Sequence, residues 1–162
     1  MDYLEEIALS EVRSINAWHK EKNGALLQIS VGGKPTVGVR CNFKVADGEV
    51  DSVVIVAGRN VGRLVTADLS QSEPGLDVTH LLEIVAVKPM PLTAPLPLKP
   101  GMLFQYDKGY FLWFTLLEGS GSGFICIANS DPKLVGQSQS SLSEDRLFIA
   151  PTISVRRRQN PN

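Results

Sequence analysis

The stretch TVGVRCNFKVADGEVDSVVIVA, residues 36–57, decides the fold class. On its first arm Val37, Val39, Cys41, Phe43 and Val45 fall on one face of a strand. Thr36, Gly38, Arg40, Asn42 and Lys44 fall on the other. A period of two marks a half-buried antiparallel strand. Asp47-Gly48 then supplies a tight turn, and EVDSVVIVA, residues 49–57, comes back as the second strand of a hairpin.

The same texture continues in both directions. ALLQISV (25–31) ends at Gly32-Gly33 and reads as a strand, as does the weaker GRLVTADL (62–69). DVTHLLEIVAV (77–87) opens as a helical turn capped by Asp77 or Thr79, or as a strand. Its β-branched Ile84, Val85 and Val87 favour a strand from about Leu81 to Val87. Further on, GMLFQY (101–106) meets YFLWFTLLE (110–118) across Asp107-Lys108-Gly109, a second hairpin. GSGSG (119–123) is a loop, FICIAN (124–129) a strand, and SDPKLVGQSQSSLSE (130–144) a long polar surface loop. RLFIAPTISV (146–155) is a last strand in which Pro151 marks an edge or a bend.

One segment has helical periodicity. Leu4, Ile7, Ala8, Val12, Ile15 and Trp18 form a stripe at three- and four-residue spacings, which predicts a helix over residues 2–22. Asp2, Glu5 and Glu6 in its first turn, and His19, Lys20 and Lys22 in its last, complement the helix dipole. Asn23-Gly24 provides the stop.

The expected architecture is therefore mainly β with one N-terminal α-helix. It is an antiparallel barrel or sandwich, or two small β-barrel-like halves packed through a proline-rich strap. The organisation reads as a helix at 1–24, a first β-rich half at 25–88, a Pro/Leu strap at 89–100, a second β-rich half at 101–155 resembling small SH3-like barrels, and a basic tail at 156–162. Five of the ten prolines lie between Pro89 and Pro100. Their spacers Met90, Leu92, Leu96 and Leu98 are too apolar for a solvated linker, so the strap is expected to pack on the body.

Composition excludes several classes. Of 162 residues 43% are apolar and 20% charged, a globular balance, and the net charge of −1 offers no field for nucleic acid or an anionic membrane. Apolar runs stop at about five residues, far short of a membrane-spanning helix. The acidic start MDYLEE does not resemble a signal peptide, so a cytoplasmic location is expected, or a particle-associated one if the protein is viral.

Chemistry-bearing residues are sparse. A Cys–His hydrolase or deamidase would need Cys41 or Cys126 with a histidine and Asp68, Asp77 or Glu83. Cys41, His80 and Asp68 make the best trio, although both cysteines lie in apolar strands and read as packing residues. Asp47, Glu49 and Asp51 surround a turn, and no histidine or cysteine pair has metal-ligand spacing, so neither metal nor cofactor is expected. Arg59 and Arg63, in AGRNVGRL, are candidates for anion binding, without the spacing of a phosphate loop.

Two features point to macromolecular partners. Tyr110, Phe111, Trp113 and Phe114 make a strand apolar on both faces, which is either central in a sheet or meets a partner. Arg156, Arg157 and Arg158 form a basic end that, with Tyr106 and the aromatic hairpin, would suit nucleic acid. Three arginines neutralise only a few phosphates, so protein–protein interaction or self-assembly is the stronger expectation. The chain thus reads as a non-enzymatic accessory or structural subunit of a virion or multisubunit complex, or as a blocker of one protein partner. Nucleic-acid association is the alternative and Cys–His hydrolysis the second.

Overall fold

The computed structural model describes residues 12–67, 74–89, 97–143 and 145–158. The protein is mainly β, with thirteen strands among the described residues. Strands β1 (Arg13–Ile15), β2 (Leu26–Val31), β3 (Lys34–Val45), β4 (Gly48–Ile55), β5 (Arg63–Thr66), β6 (Gly75–Asp77) and β7 (Leu82–Val87) come before the proline segment. After it come β8 (Leu103–Tyr106), β9 (Gly109–Leu116), β10 (Ser122–Asn129), β11 (Ser138–Gln139), β12 (Leu147–Ala150) and β13 (Thr152–Arg157).

The hairpins read from local alternation are present. β2 pairs β3, β3 pairs β4 with Val45 opposite Gly48, and β8 pairs β9 with Tyr106 opposite Gly109. The order β1-β6-β2-β3-β4-β5-β9-β10-β11 joins strands from both sides of the proline segment in one sheet. The join is the parallel pairing of β5 with β9, Arg63 opposite Thr115. The same edge of β9 is shared with β8, which also pairs β12. No barrel closes among the described residues: the path runs from β1 to β11, and β13 with β7 makes a separate two-stranded sheet. An open sheet suffices because each of its faces finds its own cover.

The main core shows how. Val37, Val39 and Cys41 of β3 pack with Val54, Leu64, Leu112, Phe114 and Ile125, and with Leu82, Ile153 and Val155 of the two-stranded sheet. On the other face lie two smaller clusters, as period-two alternation requires. Leu27, Ile29 and Val53 are covered by Ile15 and Trp18. Phe104, Phe111 and Phe124 are covered by Leu142 and Phe148, with half-buried Leu98 beside them. Arg146 places its guanidinium 5.8 Å from the ring centres of Phe104 and Phe124.

The expected helix over 2–22 is not found. Residues 2–11 lie outside the described residues, Arg13–Ile15 is a strand paired with β6, and Trp18–Lys20 is one 3-10 turn. The apolar stripe has a different cause. Val12 packs against the main core, whereas Ile15 and Trp18 belong to the cluster on the opposite face, so the segment serves two faces of a sheet.

The segment 130–144 carries more structure than a surface loop. Pro132–Leu134 form a 3-10 turn, Ser138 pairs with Ile125, and Leu142 is buried. It also reaches β3: Asn42 bridges to Gln137 in parallel and donates its backbone amide to the Gly136 carbonyl, and Lys44 donates its own to Ser138 Oγ. Glu144 lies outside the described residues, as do 90–96 of the proline strap with Met90, Leu92 and Leu96.

Candidate functional site

Four aromatic side chains of β9 divide according to what covers each face. Phe111 is buried in the cluster with Phe104 and Phe124, and half-buried Trp113 stands edge-on to Phe124 at 4.9 Å. Phe114 is wholly buried in the main core, edge-on to Phe43 at 5.6 Å. Those three pack the protein's own interior. Tyr110 alone faces solvent, 40% exposed.

Tyr110 does not stand by itself. It lies opposite Gln105 on β8 and Ala128 on β10, and Gln105 lies opposite Leu147 on β12. Residues directly opposite in antiparallel strands project on the same face. Leu147, Gln105, Tyr110 and Ala128 therefore form one row across four strands, near the 107–108 turn. Leu147 is 58% exposed, the most open large apolar side chain among the described residues. It alternates with buried Phe148, which turns it to the opposite face. That alternation in RLFIA was the signal for Leu147, and sequence reasoning missed it.

The basic end is largely committed to the fold. Arg156 and Arg157 belong to β13, opposite Glu83 and Leu82. Arg156 Nε lies 2.8 Å from Glu83 Oε1, and Arg158 Nε donates to the Thr79 carbonyl at 3.1 Å. Residues 159–162 lie outside the described residues.

Arg59 and Arg63 are separated in role. Arg63 donates through Nη2 to the Leu116 carbonyl at 3.1 Å, and its buried Nε has no hydrogen-bond partner among the described residues. Arg59 is exposed on the 58–60 loop, where it lines a groove of about 780 Å³ together with Lys34.

Of the Cys–His trio the structure describes Cys41 and His80. Cys41 is fully buried in the main core, and loss of solvent pushes its thiol up to about 12 against the lowering influence of the Arg40 charge and the Val54 amide. A thiol so placed is neither ionised near neutral pH nor accessible. His80 sits in an exposed turn, and Asp68 lies outside the described residues. Burial also raises the Cys126 thiol, whose sulfur lies 3.4 Å from the Ala128 carbonyl. Both cysteines are packing residues. Among the described residues no group of three or more His, Cys, Asp or Glu side chains gathers as a metal site would need, and no helix is long and apolar enough to cross a membrane.

Arg40 went unnoticed in the sequence because its place on the polar face of β3 reads as solvent-facing. Its side chain is only 6% exposed. It donates to the His19 carbonyl at 2.8 Å, Asp51 Oδ1 at 2.8 Å, Asn42 Oδ1 at 3.1 Å and Asn23 Oδ1 at 3.3 Å, and also to the Cys41 carbonyl. One guanidinium thereby ties the 18–20 turn to β3 and β4. Asp51 and Glu49, read as a loose acidic turn, are engaged by Arg40 and by Asn42 Nδ2.

Comparison of the chain with protein families, with curated proteins and with solved structures finds no match in any of the three.

Proposed function

We propose that this chain is a non-catalytic, β-rich interaction subunit, a structural or accessory component of a virion or multisubunit complex, that docks a protein partner through the row Leu147–Gln105–Tyr110–Ala128. The observation that carries the reading is the alignment of Leu147 and Tyr110, both open to water, in one cross-strand register. Single exposed apolar residues are ordinary on any surface. Two of the large ones in a single row, with an aromatic hydroxyl among them, have the composition of an interface centre. The outer edge of β12 adds to this. Among the described residues β12 pairs only with β8, so a partner strand has backbone groups to meet beside the row. Burial of both cysteine thiols supports a role without covalent catalysis.

The test is the mass of the native particle. The chain purified from its source should travel in a particle larger than its own 17.6 kDa, containing a protein partner or further copies. Leu147→Asp combined with Tyr110→Ser should return it to monomer mass with an unchanged melting curve. A bare wild-type monomer, or a double variant that stays in the particle, rejects the reading.

A further inference from the structure

The groove lined by Arg59 lies on the face of the sheet away from the main core. Val54, Val56 and Leu64 point into that core, so Ile55 and Val65 point the other way and form part of the groove floor. Lys34 at the start of β3, Arg59 and Asn60 of the 58–60 loop, and Glu118 also line it. The start of β3 runs beside the segment that leads into the loop, since Gly38 lies opposite Ile55 and Thr36 Oγ1 donates to the Ala57 carbonyl. At about 780 Å³ the groove is the size that small organic ligands occupy. Lys34 and Arg59 are both exposed, and neither side chain has a hydrogen bond or ion pair among the described residues, so both charges are available to a ligand.

We propose that this groove binds a small organic phosphate, its phosphate between Lys34 and Arg59 and its carbon skeleton on half-buried Val31 and Leu117, above the buried floor of Ile55 and Val65. Two cations lining one groove suit an anion that presents three oxygens and nearly two negative charges. A carboxylate would satisfy one guanidinium fork and leave the lysine over. The amide of Asn60, next to Arg59 in the chain, adds a donor. Glu118 opposes the anion and favours a ligand that also carries hydroxyl donors. The site lies on the opposite face from Leu147 and Tyr110 and is independent of the proposed interaction surface.

The experiment is calorimetric titration of the full chain with phenyl phosphate, and with benzoate, inorganic phosphate and phenol, at constant ionic strength. Phenyl phosphate should bind saturably and more tightly than the other three. Lys34→Gln and Arg59→Gln should each weaken it by roughly tenfold or more, the usual effect of losing one charge-assisted contact. Glu118→Gln should tighten it, and Arg156→Gln, remote from the groove, should leave it unchanged. All four positions are exposed, so these variants should keep the wild-type melting curve. Absence of saturable binding overturns the proposal, as does equal affinity in the Lys34→Gln/Arg59→Gln double variant. Benzoate binding as tight as phenyl phosphate overturns the phosphate assignment.

Discussion

Gly62 and Gly101 meet backbone to backbone where two segments share one edge of β9: a Cβ on Gly62 would lie 2.0 Å from the Gly101 nitrogen. Thr115 donates its amide to the Gly62 carbonyl, and Gly101 donates its own to the Trp113 carbonyl. At this point the edge of β9 passes from β5 to the chain that arrives from the proline segment. Both glycines have positive φ, 85° and 97°. Gly62→Ala therefore meets a backbone it cannot displace and should cost about 3 kcal/mol or more in urea denaturation. Gly33→Ala, at φ 80° with open space around it, isolates the conformational part and should cost only about 1 kcal/mol. Equal losses in the two variants would show that the close approach does not matter.

Arg40 gives a second prediction. Its guanidinium supports the backbone carbonyls of His19 and Cys41 as well as the Asp51 carboxylate. Arg40→Met strips donors from groups that remain buried and should destabilise the protein by about 3 kcal/mol. Asp51 is 47% exposed and water can replace it, so Asp51→Asn should cost about 1 kcal/mol or less. The urea midpoints of the two variants check this. If Asp51→Asn proves the costlier change, the buried arginine is held by its ion pair and not by the carbonyls.

Acid should loosen the pairing of β1 with β6 through Asp77. Burial alone would push this carboxyl up. The hydroxyl and amide of Thr79, at 2.6 Å and 3.0 Å, together with Arg13 at 3.0 Å, outweigh that and hold it below the usual value of 3.8. A carboxyl lowered in the folded state contributes stability that is fully present above its unfolded value and is lost as pH falls through the folded one. Stability should therefore drop as pH descends through about 4 and below. Asp77→Asn should lose about 1 kcal/mol at neutral pH and show a shallower acid limb. An acid limb identical to that of the wild type would place the titrating group elsewhere.

These residues also show which parts of the fold were legible. The hairpins around Val45–Gly48 and Tyr106–Gly109 are local, so alternation and turn chemistry over a dozen residues suffice to find them. The parallel pairing of Arg63 with Thr115 is not local, and nothing in either segment names the other. Alternation sorts Phe111 from Phe114 but does not say what covers each face, so Phe111, Trp113 and Phe114 read as equals of Tyr110 until Leu142, Phe148 and the two-stranded sheet are seen to cover them. The stripe Val12, Ile15 and Trp18 misled for a related reason. Three- and four-residue spacing reads as one helical face, yet a bent segment that serves both faces of a sheet yields the same spacing. Arg40 escaped because its burial depends on the 18–20 turn folding back over β3.

The β8–β9 turn supplies the last prediction. Asp107 and Lys108 have φ of 46° and 64°, so both central residues of this two-residue turn are left-handed. A turn of this kind matches the twist of the strands it joins but is unfavourable for side chains other than glycine, asparagine or aspartate. Aspartate tolerates it; lysine has no polar atom near enough to its own backbone to help. Lys108→Gly should therefore stabilise the protein by up to about 1 kcal/mol, although the unfolded chain gains freedom. Lys108 is exposed, so no packing is lost. Tyr110 follows two residues later, and a firmer turn fixes its register opposite Gln105. Thermal unfolding checks the first effect, and amide exchange at Tyr106 and Gly109, the hydrogen-bonded pair that flanks the turn, checks the second. A lower melting temperature for Lys108→Gly would show that the lysine side chain contributes more than its backbone strain costs.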